Sequence, residues 1–407
     1  MVRIALLFLV LLVFSGCSES KKELPKAGMW LAELQVSDDE VLPFNFKLIK
    51  SGEADFKMEV YNAEEVITIE NINLKNDSVI IKMPVYEGYL AGVFTEERIA
   101  GDFIKESLDR VVPFTATYGD LDRFTSTAPA SVDVSGIWEA TFNLRGTKPY
   151  IAKGIFDQKG DRVTGTFRTT TGDYRYLEGR IIGDSLKIST FDGAHAFLFT
   201  AKVTDSTLNG IFYSGNHSKE IFESKRNTNF ELPDEESLTY LKEGYDTLEF
   251  SFPDENGTMI SLQDEQFKNK VVLLQIMGTW CPNCLDETRF LTSYLQENHH
   301  KDLQVMALAF EYAKTKEAAF AGIQRLKDRI GVTYPVVLAQ YGTSNKVKAQ
   351  EKLPMLNHVL SYPTTIFIDK KGVVRKIHTG FNGPATGAKY TAFKTMFHDF
   401  LTMLLEE

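Results

Sequence analysis

The sequence predicts a chain of two unlike parts: an all-β region of two tandem small barrels or sandwiches, then an α/β domain that closes on a hairpin. Three observations carry this expectation. Between Gly28 and about Asn227, short runs of β-branched and aromatic residues are broken by turn signals such as Asn76-Asp77-Ser78, Gly160-Asp161 and Gly183-Asp184-Ser185. No helix-length periodic segment interrupts them. The same region repeats itself at an interval near 108 residues. Beyond Phe230, strands alternate with helical stretches. A chain of 407 residues is too long for one compact core, which agrees with several units.

The repeat stands on three anchors in one register. Gly28-Met29-Trp30 returns as Gly136-Ile137-Trp138, an offset of 108. Leu74-Lys75-Asn76-Asp77-Ser78 returns as Ile181-Ile182-Gly183-Asp184-Ser185, with Asp184 following Asp77 by 107. Ile99-Ala100-Gly101-Asp102-Phe103 returns as Leu208-Asn209-Gly210-Ile211-Phe212, with Gly210 following Gly101 by 109. The expected repeats are residues 28–125 and 132–227, each a meander of roughly eight short strands. The Gly-x-Trp opening resembles the first strand of lipocalin-like barrels, which would imply a hydrophobic ligand cavity. Alternatively, Trp30 and Trp138 plug the barrel ends as core, since a repeat this short leaves little room for a ligand. A partner-docking or spacer role suits such a region.

The expected α/β domain occupies residues 228–407. Leu232-Pro233-Asp234-Glu235-Glu236 reads as an acidic linker into it. Val271–Met277 is a continuous apolar strand interrupted only by Gln275, and Leu303–Phe310 is a second buried strand. Helices are expected over Leu285–Gln296, Lys314–Ile330 and about Tyr390–Leu405. Further strands are expected over Tyr334–Leu338, Thr364–Asp369 and Val373–Thr379, the last two joined by the turn Lys370-Lys371-Gly372.

The N-terminus reads as an address. Arg3 supplies a positive start, and Ile4–Phe14 is an apolar run of signal-peptide length, too short to span a bilayer as a helix. It ends Phe14-Ser15-Gly16-Cys17, which resembles the bacterial lipobox, with Phe14 where Leu is more usual. That resemblance implies cleavage after residue 16 and lipidation of Cys17. The other reading is an ordinary cleaved signal in which Cys17 is incidental. Residues 18–27 then form a polar linker, and several acyl chains hold a protein on a membrane far more firmly than one. Ser18 after the cysteine leans toward the outer membrane without deciding between the two.

Composition excludes other classes. The net charge of −10 leaves no basic stripe for nucleic acid, nor a cationic surface for anionic lipid. Three cysteines, Cys17, Cys281 and Cys284, are too few for a disulfide-stapled scaffold. No second C-x-x-C and no nearby histidine accompanies the last two, which argues against zinc, and no cofactor is expected.

Gly278-Thr279-Trp280-Cys281-Pro282-Asn283-Cys284 lies where the first strand of the α/β domain meets its helix. Two cysteines three apart at a helix start can close a small disulfide ring. The unsatisfied N–H groups and the helix dipole there favour the thiolate of the first. Cys281 is the candidate nucleophile and Cys284 the resolving thiol, with Trp280 packed beside the pair.

This motif, together with Tyr362-Pro363-Thr364-Thr365-Ile366-Phe367-Ile368-Asp369, resembles the thioredoxin superfamily. More narrowly, the Gly278-Thr279-Trp280 lead-in, Glu287 and Pro363-Thr364-Thr365 resemble the membrane-tethered TlpA/ResA-type reductases. The resemblance covers about Tyr245–Glu407. It implies a thioredoxin-like fold, a cis Tyr362–Pro363 peptide facing the cysteines, and contacts to an extended substrate through Trp280, Pro282, Tyr362 and Pro363. It also implies a buried carboxylate at Glu311 that accepts the proton of Cys284, where thioredoxins instead carry an acid at the position of Gln275. A solvated helix-capping role is the alternative for Glu311.

Two departures are visible. Arg289 stands where the family has a proline, which would bring positive charge close to the thiols. The loop from Gln340 to Leu356 is long, and serves either as a lid over substrate or as a plain connection. His358 reads as a surface or core histidine. The expected function is extracytoplasmic thiol–disulfide exchange in the cell envelope, facing the periplasm. Protein substrates bearing disulfides or thiols and a membrane-embedded or periplasmic electron donor are the expected partners. The alternative is a binding or scaffold lipoprotein whose β region carries the function. A peroxidase is disfavoured, because the P-x-x-x-T/S-x-x-C signature fails at both cysteines.

Overall fold

The computed structural model describes residues 23–407, so the expectations placed on residues 4–14 and on Cys17 lie outside the described residues. The region from Gly28 to Arg226 forms two nine-stranded antiparallel sheets. In the first, Gly28–Gln35 pairs with both Val41–Lys50 and Arg110–Tyr118. The free edges are Glu65–Ile69 and Ile72–Lys75, adjacent in sequence but not paired with each other, so this barrel is nearly closed. In the second, Tyr150–Lys159 pairs with Gly136–Phe142 on one side and Arg162–Thr169 on the other, which completes a ring of eight strands. The ninth, Gly172–Asp173, extends the hairpin of Arg162–Thr169. Each sheet therefore carries one strand more than the expected eight. A break at Glu70-Asn71 splits one segment of the first sheet, and a hairpin tip adds a short pairing to the second.

The duplication holds at the level of register. Trp30 faces Tyr118 and Trp138 faces Arg226, both shifted by the offset that relates the tryptophans. Each indole is fully buried and donates to the carbonyl four residues earlier, Trp30 to Lys26 at 3.0 Å and Trp138 to Val134 at 2.8 Å. The third anchor has a steric cause. A Cβ on Gly101 would sit 2.0 Å from the Ala91 carbonyl oxygen, and one on Gly210 would sit 2.1 Å from that of Thr200. Both glycines let neighbouring strands approach closely. The interior of the second barrel is filled by Trp138, Phe142, Phe167, Phe199 and Phe222, so the tryptophans act as core rather than as walls of a ligand cavity.

The C-terminal region is a five-stranded sheet in the order Val336–Gln340, Leu303–Phe310, Val271–Met277, Thr364–Ile368, Val374–Thr379. The first three strands are parallel, and the last two form the antiparallel hairpin. Every residue of Val271–Met277 is buried, as a strand covered on both faces requires. Helices Pro282–Glu297, Lys316–Ile330 and Ala388–Glu406 flank it, the last presenting Phe393, Phe397, Leu401 and Leu404 at helical spacing to the sheet. This is a thioredoxin-like fold. The acidic stretch expected to be a linker is instead docked. Glu231 pairs with Lys153 and Arg168, Glu235 with Arg168 and Lys389, and Glu236 with Lys376. Among the described residues, no helix is long and apolar enough to cross a membrane.

Candidate active site

Cys281 is the N-cap of the helix Pro282–Glu297, three residues ahead of the expected start, and its sulfur accepts from the Cys284 backbone N–H at 3.3 Å. Pro282 follows at the first helical position, where its missing N–H costs nothing. The helix dipole therefore points at Cys281. Its thiol donates to the Tyr362 carbonyl at 3.3 Å, and the Tyr362–Pro363 peptide is cis. Both cysteines are free thiols. Cys281 is 6% exposed and Cys284 not at all. Burial pushes the Cys284 thiol well up, with its hydrogen bond to Cys281 and the charge of Glu287 adding to the effect.

Trp280 donates its indole N–H to the Phe310 carbonyl at 3.0 Å and packs against Tyr312 and Tyr362, each 5.6 Å away between ring centres. The structure thus brings Trp280, Cys281, Pro282, Cys284, Tyr362 and Pro363 together. Glu311 is buried at the end of its strand, but its carboxylate accepts from the Thr279 N–H and hydroxyl, each at 2.8 Å. Burial raises its pKa to about 7. Glu287 is the carboxylate whose charge reaches Cys284. It accepts from Gln275 at 2.8 Å and from Thr365 at 2.6 Å, and burial raises it to about 7 as well. The polar Gln275 inside an apolar strand is the signal that points to it, because a buried amide needs a buried partner.

Arg289 is half-exposed and its charge faces Asp286 at 3.5 Å. The long loop contains the helix Lys346–Lys352, capped by Asn345, and an isolated bridge between Leu241 and Leu356 ties its end down. His358 is half-buried.

The β region reaches over this site. The hairpin tip of the second barrel lays the Asp173 carbonyl against the Asn283 amide at 3.2 Å, and the Ser361 hydroxyl donates to the Thr171 carbonyl at 2.9 Å. Asp173 accepts from the Gly383 N–H at 2.6 Å, and burial raises its pKa to about 6. Gly172 has a positive φ of 140°, and a Cβ there would fall 2.5 Å from the Asn283 amide nitrogen. Arg175, just beyond the tip, is 4% exposed. It pairs with Asp286 of the active-site helix, with Glu65 of the first sheet and with Asp192 of its own barrel. It also donates to the Pro282 carbonyl at 3.3 Å. One guanidinium therefore joins all three units beside the cysteines, a role with no local mark in the sequence.

Comparison with known proteins agrees with this geometry. Residues 242–392 match the Redoxin family model. The chain is 31% identical over 140 residues to the thioredoxin-like protein YneN of Bacillus subtilis, covering 34% of this chain and 73% of that one. It is 30% identical over 165 residues to the thiol-disulfide oxidoreductase ResA of the same organism, covering 40% of this chain and 76% of that one. The thiol:disulfide interchange protein DsbE of Allochromatium vinosum is 26% identical over 132 residues, covering 32% of this chain and 64% of that one.

Proposed function

Because the chain belongs to the thioredoxin-like thiol–disulfide oxidoreductases, we propose that it reduces substrate disulfides on the outer side of a cell membrane through Cys281 and Cys284. The observation that carries this is the placement of Cys281 at the helix N-cap, with its sulfur facing both the Cys284 N–H and the Tyr362 carbonyl. As a thiolate, Cys281 attacks a substrate disulfide and forms a mixed disulfide. Cys284 then loses its proton and attacks the Cys281 sulfur, releasing the substrate thiol. With pKa values near 7, Glu287 and Glu311 are both suited to hold that proton, and Glu287 is the one electrostatically linked to Cys284. Trp280, Pro282, Tyr362 and Pro363 line the face on which a substrate segment lies.

In the same reading Cys17 carries the lipid anchor after removal of residues 1–16, and residues 28–125, 132–227 and 228–407 are three domains standing off the membrane in the periplasm. Electrons come from a membrane-embedded or periplasmic donor, and protein thiols or disulfides are the substrates. A redox titration of the full chain in neutral detergent, read by thiol alkylation, tests the assignment. A midpoint below about −220 mV is expected for a reductant, whereas one near −120 mV makes the protein a disulfide donor. Absence of any two-electron couple at Cys281 and Cys284 removes the redox reading altogether.

A further inference from the structure

A cavity of about 300 Å³ lies where the first sheet, the second barrel and the redox region meet. Trp280, the residue before Cys281, forms one wall, and Ser344 of the long loop forms part of the rim. Two residues on from Ser344, Lys346 stands within electrostatic reach of both cysteines. Phe103 and Phe197 supply an apolar surface, while Lys105, Arg110 and His217 supply the polar one.

The charge of this cavity is one-sided. The chain has 55 acidic residues against 45 basic ones, yet among the described residues no aspartate or glutamate lines the cavity. Lys105 is 8% exposed, and among the described residues its ammonium donates only to the Ala194 carbonyl, at 2.9 Å. Neither Lys105 nor Arg110 has a carboxylate within ion-pairing distance among the described residues. The opposing charges that act on Lys105 lie outside the lining. Asp192 sits behind His195 and is already shared with Arg175, and Glu87 is felt at Lys105 from beyond the wall. Burial, helped by Arg110, lowers Lys105 to about 8. Burial together with Arg110 and Lys105 lowers His217 to about 4. Buried cations persist where something neutralises them. A cavity of this volume with an apolar body and a few convergent charges has the build of a small-molecule site.

Access points the same way. The face beside Asn283, Ser361 and Gly383, where an extended polypeptide would lie, is occupied by the hairpin tip of the second barrel. No residue of the hairpin tip lines the cavity beside Trp280, whereas a protein substrate needs the hairpin to move first.

We infer that the cavity lined by Lys105, Arg110 and Trp280 docks a small thiol or disulfide bearing carboxylates, which exchanges with Cys281 while the hairpin stays closed. The inference rests on the thiol–disulfide exchange reading above. The Cys281 thiolate attacks one sulfur of the bound disulfide, forming a new S–S bond as the ligand's own S–S bond breaks, and the departing thiolate takes a proton from water. Cys284, having passed its proton to a buried carboxylate such as Glu287, attacks the Cys281 sulfur and expels the second ligand thiolate, which is protonated in turn. Two electrons pass from the cysteine pair to the ligand, leaving a Cys281–Cys284 disulfide and two free thiols.

The test compares second-order rates for the reduced full chain in neutral detergent. The probes are oxidised glutathione and dithiodiglycolate as anionic disulfides, bis(2-hydroxyethyl) disulfide as a neutral one and cystamine as a cationic one. Electrostatic docking predicts an anionic-to-neutral rate ratio of at least ~10 that falls as salt is added, with cystamine slowest. In the Arg110→Gln and Lys105→Gln variants that ratio drops toward ~1. Near-ultraviolet circular dichroism must show each variant folded, since an unfolded fraction with exposed thiols itself pulls the ratio toward ~1, and Arg110→Lys, which keeps the charge, should keep the ratio. A ratio near unity in the unaltered chain overturns the inference while leaving the exchange reading intact. A high ratio that both substitutions leave in place also overturns it, since the charge would then reside elsewhere. Failure to reduce any of the four probes defeats the exchange reading itself.

Discussion

Replacing Arg175 by methionine tests whether the β region clamps the redox centre. The substitution keeps most of the side-chain volume but removes the single cation shared by Glu65, Asp192 and Asp286. Removing one partner from a buried charge network costs about 3–5 kcal/mol, because the remaining charges are left uncompensated. At 1.36 kcal/mol per tenfold, the lower figure shifts the closed-to-open equilibrium of the hairpin by roughly 10²-fold. The hairpin tip covers the face of the site where a polypeptide would lie, so alkylation of Cys281 by a bulky maleimide–polyethylene glycol, read by gel shift, reports that equilibrium. A rise approaching roughly 10²-fold is expected for Arg175→Met relative to the unaltered chain, with near-ultraviolet circular dichroism confirming that the variant remains folded. The excess should shrink toward pH 5. Asp192 and Asp286, which Arg175 helps to hold down in the intact chain, lose that effect, take up protons more readily as the pH falls, and so regain closure. Alkylation rates within about twofold of each other across that range would refute the clamp, since the network would then carry none of its expected share.

The Cys284→Ser variant should accumulate a mixed disulfide at Cys281 when offered a disulfide probe, and Cys281→Ser should accumulate none; intact-mass spectrometry distinguishes the two, and a stable adduct on Cys284 would reverse their roles. Glu287 has its folded pKa raised by burial from 4.5 to about 7, so the folded state holds the extra proton and stability falls as pH rises through that window. That amounts to about 3 kcal/mol, and Glu287→Gln should flatten the decline between pH 5 and pH 8 in denaturant titrations while Glu311 keeps its own share; an unchanged decline rules this out. Gly101→Ala places a Cβ against the Ala91 carbonyl and should cost about 1–3 kcal/mol in the same titrations, so a neutral effect would mean that the strands part freely there.

The parts of the fold that were legible in the sequence are those written in local pattern. Val271–Met277 and Leu303–Phe310 have the expected ends because strands buried on both faces are continuous apolar runs that stop where polarity returns. The repeat was legible through residues whose backbone geometry allows few substitutes, notably Gly101 and Gly210. The C-x-x-C motif was legible because two cysteines one helical turn apart, with no further metal ligands near them, suit a redox pair and little else. The buried carboxylates were only half visible. Glu311 was picked out through the resemblance to the tethered reductases, and its hydrogen bonds turn toward Thr279. Glu287 depends on Gln275 and Thr365, and the contact with Thr365 spans 78 positions. Least visible was the covering of the active site by the β region. Arg175 meets Asp286 across 111 residues and Glu65 across 110, and no local periodicity encodes such pairings.

The unequal closure of the two barrels has a mechanical consequence. A ring of strands joined all the way round has no end from which to peel, so its amides exchange with solvent only when the whole ring gives way. The first sheet has a seam between Glu65–Ile69 and Ile72–Lys75, and Glu65, which holds Arg175, is the first residue on one lip of it. Breathing along that seam would pull directly on the ion cluster beside the cysteines, because Glu65 holds Arg175 there. Amide exchange should therefore be faster along the lip that begins at Glu65 than in the closed ring of the second barrel.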